Sequence, residues 1–396
     1  MTQEHAETKP AATAASDREL VWIMAGETSG DGYGASLAQA LRRRHPGLVI
    51  EGMGGVKMRE AGVETFVDST ELGIIGFWEC LKHVFFFLNL LKRVTQRASA
   101  ERPKAVVLID YPGFHLMLAK RLHALGIPVV WYVSPQVWAW RTGRVWKLAK
   151  YCRRMLCIFP FEPKYYEPTS LKAEFVGHPL FGILAPYRKE PRPARKENLV
   201  LLLPGSRRQE LQRLLPAFLQ AASVLHKQNP SLEFRIPLPR QAILEFAQQL
   251  AAQCPEAPPV TWSVGDTRQL MTEAAGAIAA SGTVTVEAAM LGLPVVVAYR
   301  ISPVSWWIAS HLIQIDTITI ANLVCEKKVF QEVLQKECTP ENLAAALERI
   351  LPGGAKRQET LEDMAEFTRR LGAAGEDVSD NVAKITLETA GLPAEE

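Results

Sequence analysis

The sequence predicts an α/β protein of two doubly wound, Rossmann-like domains facing a cleft. Three observations carry this expectation. Short runs of Val, Ile and Leu recur, each followed by turn residues and a longer helical pattern. The runs are continuously apolar rather than alternating, as in parallel strands buried on both faces. The alternation breaks once, in a stretch of prolines and charges, and then resumes. A chain of 396 residues also exceeds what one small core fills.

Taken in order, the first half offers strands at LVWIMAG (20–26), LVIEGMGG (48–55), AVVLIDYPG (105–113), PVVWYVSP (128–135) and MLCIFPFE (155–162). GILAPYRKEPRPARKE (182–197), with three prolines and a crowd of charges, reads as an interdomain connection. Strands resume at NLVLLLPGS (198–206), EFRIPLP (233–239), VTWSV (260–264), GAIAASG (276–282) and PVVVAYR (294–300). A polar-faced helical region follows from TPENLAAALERIL, with Thr339 placed to cap it. The expected organisation is a disordered tail over 1–17, a first Rossmann-like domain over 18–185, and a linker over 186–197. A second Rossmann-like domain over 198–350 follows, then C-terminal helices over 351–396 as candidates to pack back on the first domain.

Composition narrows the function. Charged residues make up 22% and the net charge is +3, too mild a balance to argue for nucleic acid. The six cysteines form no CxxC pair, which disfavours a zinc or thioredoxin-like site and suits a reduced cytosolic compartment. The polar, acid-bearing N-terminal residues lack the apolar stretch of a secretory signal. No run reaches the ~20 apolar residues of a spanning helix.

Ligands of open α/β sheets bind outside the carboxyl ends of the strands, so chemistry is sought there. The first strand ends in MAGETSGDGYG, where glycines permit a tight turn close to a ligand. Glu27, Ser29 and Asp31 are cleft candidates there, and a helix cap at Ser29 or Asp31 explains the same residues equally well. LIDYPGF places Asp110 at a strand mouth, as either a cap or a general base. YVSPQVWAWRTGR clusters Trp138 with Arg141 and Arg144, an aromatic and basic group suited to sugars, phosphates or anionic headgroups, although a lone tryptophan is more often core. In the second half, Gly205, Ser206 and Arg207 open a helix after a strand, the setting of a diphosphate clamp without the lysine of a Walker loop. Ser281, Gly282 and Thr283 repeat the pattern. Glu287, one turn on, suits the two hydroxyls of a ribose, although taken alone it reads as a surface glutamate.

Together, AGETSGD, GMGGVKM, IDYPGF, YVSPQVWAWR, FPFE, GHP, LLPGSR and ASGTVTVE resemble the lipid-A-disaccharide synthase family of glycosyltransferases, in the family's order and over nearly the whole chain. The resemblance implies an inverting transfer from UDP-2,3-diacylglucosamine to 2,3-diacylglucosamine 1-phosphate (lipid X). The products are lipid A disaccharide 1-phosphate and UDP, made on the cytosolic face of a Gram-negative inner membrane by a peripheral protein. It implies Asp110 as the base, Arg207 on the diphosphate, and Glu287 and Asn322 on UDP. A homodimer suits the family. This chain departs from the usual Pro-Asn, reading Ile320-Ala321-Asn322. With no DxD-like acidic pair at a strand end, neither a metal nor another cofactor is expected. Epimerases and other transferases share the fold, and a non-catalytic lipid-binding protein is a further alternative.

Acylated substrates give LKHVFFFLNLLKR (81–93) a purpose. At about 100° per residue, Phe77, Leu81, Val84, Phe85, Leu88 and Leu91 are expected on a core face. Phe86 and Leu90 then fall among polar residues, with Phe87 at the border, and these three are the expected membrane contacts.

Overall fold

The computed structural model describes residues 18–69, 84–139, 142–189, 191, 194–254, 256–302, 317–375 and 377–394. The expected tail over 1–17 lies outside them, as do Phe77, Leu81 and Arg141.

The chain forms two compact units. One comprises Met1–Ile158, Glu162–Val176 and Asp377–Glu396, the other Phe159–Phe161 and Gly177–Glu376. In the first, strands β1 (Leu20–Ala25), β2 (Val49–Gly54), β3 (Glu64–Asp68), β4 (Ala105–Ile109), β5 (Val129–Tyr132), β6 (Arg154–Cys157) and β7 (Lys172–Phe175) make one sheet. Its order is β3-β2-β1-β4-β5-β6-β7, and every pairing is parallel. The crossovers carry helices α1 (Thr28–Arg44), α2 (Val56–Glu60), α3 (Val84–Glu101), α4 (Pro112–Ala124) and α5 (Arg144–Tyr151). β1 and β4 are buried along their whole length, which is why they appear in the sequence as unbroken apolar runs.

The second unit begins with the short α6 (Leu180–Leu184) and continues through β8 (Lys196–Leu203), α7 (Arg208–Gln228), β9 (Glu233–Leu238), α8 (Gln241–Ala251), β10 (Val260–Val264), α9 (Thr267–Glu273), β11 (Ala274–Ala280), α10 (Thr283–Met290), β12 (Val295–Tyr299), α11 (Ile320–Cys325), β13 (Gln331–Leu334), α12 (Pro340–Glu348) and α13 (Arg357–Leu371). Its sheet order is β10-β9-β8-β11-β12-β13, again all parallel. A final helix, α14 (Val378–Ala390), belongs to the first unit. Thr339 caps α12 through the Asn342 amide, as its position suggested.

β3, β7 and β13 have no counterpart in the sequence reading. All three are sheet edges with partly exposed, charged residues (ETFVD, KAEF, QEVL), so they never form an apolar run. The charged stretch at 186–197 also differs from expectation, because its described residues lie inside the second unit. Arg195 explains part of its charge. It donates to the carbonyls of Met271 (2.8 Å), Ala274 (2.7 Å) and Leu291 (2.6 Å), tying the entry to β8 to α9, the start of β11 and the end of α10. Of the C-terminal helices, α13 stays with the second unit, burying Met364, Phe367 and Leu371. Only α14 rejoins the first, where Asp380 accepts two bonds from Arg44 at 2.7 and 2.6 Å. Among the described residues no helix is long and apolar enough to cross a membrane.

Candidate active site

Both sheets reverse their strand order once, at β1/β4 and at β8/β11. Such a reversal sends the two following crossovers to opposite faces and leaves a crevice at the carboxyl ends of that strand pair. The sequence candidates fall at these points. Glu27 follows β1 and Asp110 follows β4; Gly205–Arg207 follows β8 and Ser281–Thr283 follows β11.

Asp110 is half-buried, and its carboxyl is pushed up to about 6. Burial is the main cause, the negative charge of Glu27 adds to it, and a bond from the Tyr111 amide opposes it. The carboxylate does not cap α4. The N-cap is Tyr111, no side chain caps it, and Pro112 opens the helix. Asp110 and Tyr111 are both left-handed, with φ of 48° and 51°. Two consecutive non-glycine residues in that region carry a real conformational cost. Three contacts hold them. The Asp110 amide donates to Tyr132 O at 3.0 Å, His115 Nδ1 donates to Asp110 O at 2.7 Å, and the Tyr111 ring lies on Gly26. A Cβ at Gly26 would fall 2.4 Å from that ring, so only glycine lets the ends of β1 and β4 close up.

The neighbouring candidates divide. Glu27 and Ser29 are exposed at the start of α1. Asp31 is not a cleft residue and does not cap its own helix. It is buried and accepts from the amides of Gly55 (2.6 Å), Lys57 (3.0 Å) and Met58 (3.2 Å), closing the start of α2. Trp138 is likewise a core residue, buried with its indole N–H directed at Glu162 (3.3 Å). Arg144 is half-buried at the start of α5.

In the second unit the loop after β8 is organised by an internal anion. Glu210 Oε2 accepts from the amides of Ser206 (2.9 Å) and Arg207 (3.2 Å). Gly205, at φ 105°, leaves no room for a Cβ, which would fall 2.3 Å from the same oxygen. Those two amides are therefore occupied, contrary to the expectation that they grip a phosphate. The Arg207 guanidinium is 78% exposed and only 3.5 Å from Glu210 at its nearest, so it is the group presented to solvent. Across the reversal, Ser281 donates its amide to Ala298 O (3.2 Å), and no side chain caps α10 at Gly282. Glu287 is not a lone surface glutamate, since Arg268 Nη2 donates to its Oε1 at 2.7 Å. Sequence reading missed Arg268. Its signal was its place just past the end of β10, at the same carboxyl edge.

Asn322 is fully engaged inside the protein. Its Nδ2 donates to Thr317 Oγ1 (3.1 Å) and Phe330 O (3.0 Å), and its Oδ1 accepts from Phe330 N (2.8 Å). The side chain is buried and braces the segment at 317–330. The turn before Asn322 is held by Glu332, which accepts from the amides of Ile318 and Thr319.

The faces of α3 are also corrected. Leu90 is 5% exposed and packs in the core with Leu91, Val94 and Ala98, and Phe87 is half-buried against Phe114. Phe85 (81%), Phe86 (47%) and Leu88 (49%) are the exposed ones. The core stripe runs 87-90-91-94-98, a phase set by the downstream residues, and Phe85 points directly away from it.

Two all-parallel doubly wound sheets, each with its candidate residues at a strand-order reversal, define the class of GT-B enzymes. Solved structures share that fold. A UDP-N-acetylglucosamine 2-epimerase from Neisseria meningitidis bound to UDP-GlcNAc matches with a TM-score of 0.59 at 14% identity, over 93% of this chain and 98% of that one. The glycotransferase of kitacinnamycin matches with a TM-score of 0.64 at 15% identity, over 94% and 99%. Sequence goes further than fold. The lipid-A-disaccharide synthetase family profile matches residues 21–385. A lipid-A-disaccharide synthase from Koribacter versatilis is 38% identical, covering 93% of this chain and 98% of that protein. One from Geobacter metallireducens is 38% identical over 94% and 97%, and one from Coxiella burnetii 36% over 92% and 97%. The chain belongs to the lipid-A-disaccharide synthase family, glycosyltransferases of lipid A biosynthesis.

The raised Asp110 pKa has a stability consequence. A carboxyl that holds its proton more tightly folded than unfolded contributes stability at low pH, lost as pH rises through about 6. Asp110→Asn removes the buried charge. Its melting temperature should exceed that of the natural protein by a few degrees at pH 8 and match it at pH 4, as read by calorimetry.

Proposed function

We propose that this chain transfers a 2,3-diacylglucosamine unit from its UDP derivative to the primary hydroxyl of 2,3-diacylglucosamine 1-phosphate, giving lipid A disaccharide 1-phosphate and UDP. The observation that carries the mechanism is Asp110. It is a half-buried carboxylate with a pKa of about 6, beside Glu27 at the β1/β4 reversal. A base of that strength is largely ionised at neutral pH and still basic enough to share a proton in the transition state.

Asp110 takes the proton of the acceptor hydroxyl as that oxygen attacks the anomeric carbon. The bond to the diphosphate breaks on the opposite face, and UDP departs with the electron pair, so the sugar carbon inverts in one displacement. Negative charge grows on the leaving diphosphate. The exposed Arg207 guanidinium and the uncapped amino end of α10 are suited to meet it. Glu287, oriented by Arg268, receives the ribose hydroxyls, and Asn322 acts indirectly by holding the segment at 317–330.

The lipid substrates require contact with a bilayer, and we assign it to Phe85, Phe86 and Leu88. They form an exposed apolar patch on α3, with exposed Lys92 and Arg93 a turn or two further along. Apolar side chains dip into the interface while cations meet anionic headgroups, in keeping with a peripheral protein on the cytosolic face of the inner membrane.

A UDP-release assay with both lipid substrates tests the reaction. Asp110→Asn should lower kcat about 10²–10⁴-fold with UDP affinity retained, whereas Arg207→Ala should weaken UDP binding. Near-normal turnover by the Asp110 variant would assign the base elsewhere. For the membrane, Phe85→Ser with Leu88→Ser should reduce sedimentation with anionic phospholipid vesicles at an unchanged melting temperature. Leu90→Ser should instead destabilise the first unit.

A further inference from the structure

His115 is fully buried on α4, one turn past Asp110, and among the described residues its Nε2 has no hydrogen-bond partner. Aromatic rings surround it, with Tyr111 at 5.7 Å, Phe114 at 6.0 Å and Trp131 at 6.1 Å between centroids. Burying a ring nitrogen without a partner is unfavourable, and an apolar side chain of similar size would fill the space without that cost. Something else must favour histidine here. Among the described residues, the ring's one hydrogen bond runs from Nδ1 to the backbone carbonyl of Asp110, at 2.7 Å. A carbonyl only accepts, so Nδ1 carries the hydrogen and the bare nitrogen is Nε2. Burial lowers this imidazole to about 4, which keeps that tautomer neutral across the working pH range.

The carbonyl it holds belongs to the first of two consecutive left-handed residues. Without an anchor, the Asp110–Tyr111 backbone would relax toward an ordinary strand-to-helix turn and swing the carboxylate away. Fixing the peptide that carries a base is worth a great deal, because a displacement of about 1 Å at a reacting group costs about 100-fold in rate.

We propose that His115 is a positioning residue for the transferase reaction. It clamps the Asp110 carbonyl through Nδ1–H and so keeps the strained turn in the conformation that presents the Asp110 carboxylate. This rests on the reading of Asp110 as the base. His115 touches neither substrate in this account, so its loss acts on kcat and not on KM for the UDP sugar.

The test uses two substitutions in the full-length chain. Asparagine places an amide N–H close to where Nδ1 lies, and leucine fills the volume with no donor. His115→Asn should keep kcat within about threefold of the natural protein, while His115→Leu should lose about 10- to 100-fold. In both, KM for the UDP sugar and the stoichiometry of UDP binding by calorimetry should be unchanged. A role in packing alone would lower the melting temperature and the fraction of folded protein but leave kcat per UDP-binding site intact. Full turnover per site in the leucine variant overturns the proposal. So does a folded asparagine variant that loses turnover as severely, which decides the matter even where leucine does not fold. Asp110→Asn measured in parallel separates the two claims. If that variant stays active, the base assignment fails, whereas an inactive Asp110 variant beside a fully active leucine variant refutes the clamp alone.

Discussion

A carboxylate that is half out of water, next to another carboxylate, is the feature on which the chemistry proposed for the first unit depends. Removing Asp110 from solvent and setting Glu27 near it both disfavour its charged form, and together they lift a weak base into the neutral range. The fold produces this pairing without a special motif. β1 and β4 are adjacent, parallel and buried, so the residues that follow them emerge side by side at one edge. Gly26 lets the Tyr111 ring press against the end of β1, and the resulting turn is strained enough to need outside anchors.

The second unit solves a complementary problem with charges of both signs. Its first anion-binding loop already encloses the Glu210 carboxylate, which shapes the turn around Gly205 and leaves Arg207 directed outward. Glu287 is matched by Arg268, and the segment around Asn322 is tied down by Glu332 and Phe330. Each candidate in this half is thus held by a neighbouring group of the same unit. Such supporting contacts hold a first layer of side chains in place before substrate arrives.

Much of this was legible in the sequence, and the gaps have physical causes. The central strands announce themselves because burial on both faces demands unbroken Val, Ile and Leu. The edge strands β3, β7 and β13, with one neighbour and one wet side, do not. Asp110 and Arg207 were singled out by their position just after a strand, and Glu287 by its place one turn into the helix after β11. Asp31, Trp138 and Asn322 looked alike in one dimension, yet their partners lie 24, 24 and 8 residues away in the chain, and those bonds turn them inward. The phase of α3 was misread because three phenylalanines and four more residues fit several faces. Leu91, Val94 and Ala98, farther along, fix which one is buried.

The central claim is that burial and the charge of Glu27 tune Asp110 as the base. The pH dependence of kcat/KM in the natural protein and in Glu27→Gln tests it most directly, because that ratio reports groups of the free enzyme. The account predicts an acid limb near pH 6, with activity rising as Asp110 loses its proton, and a shift of that limb to lower pH when the neighbouring charge is removed. A limb at the ordinary carboxylate position, or one that stays in place in the glutamine variant, would contradict it.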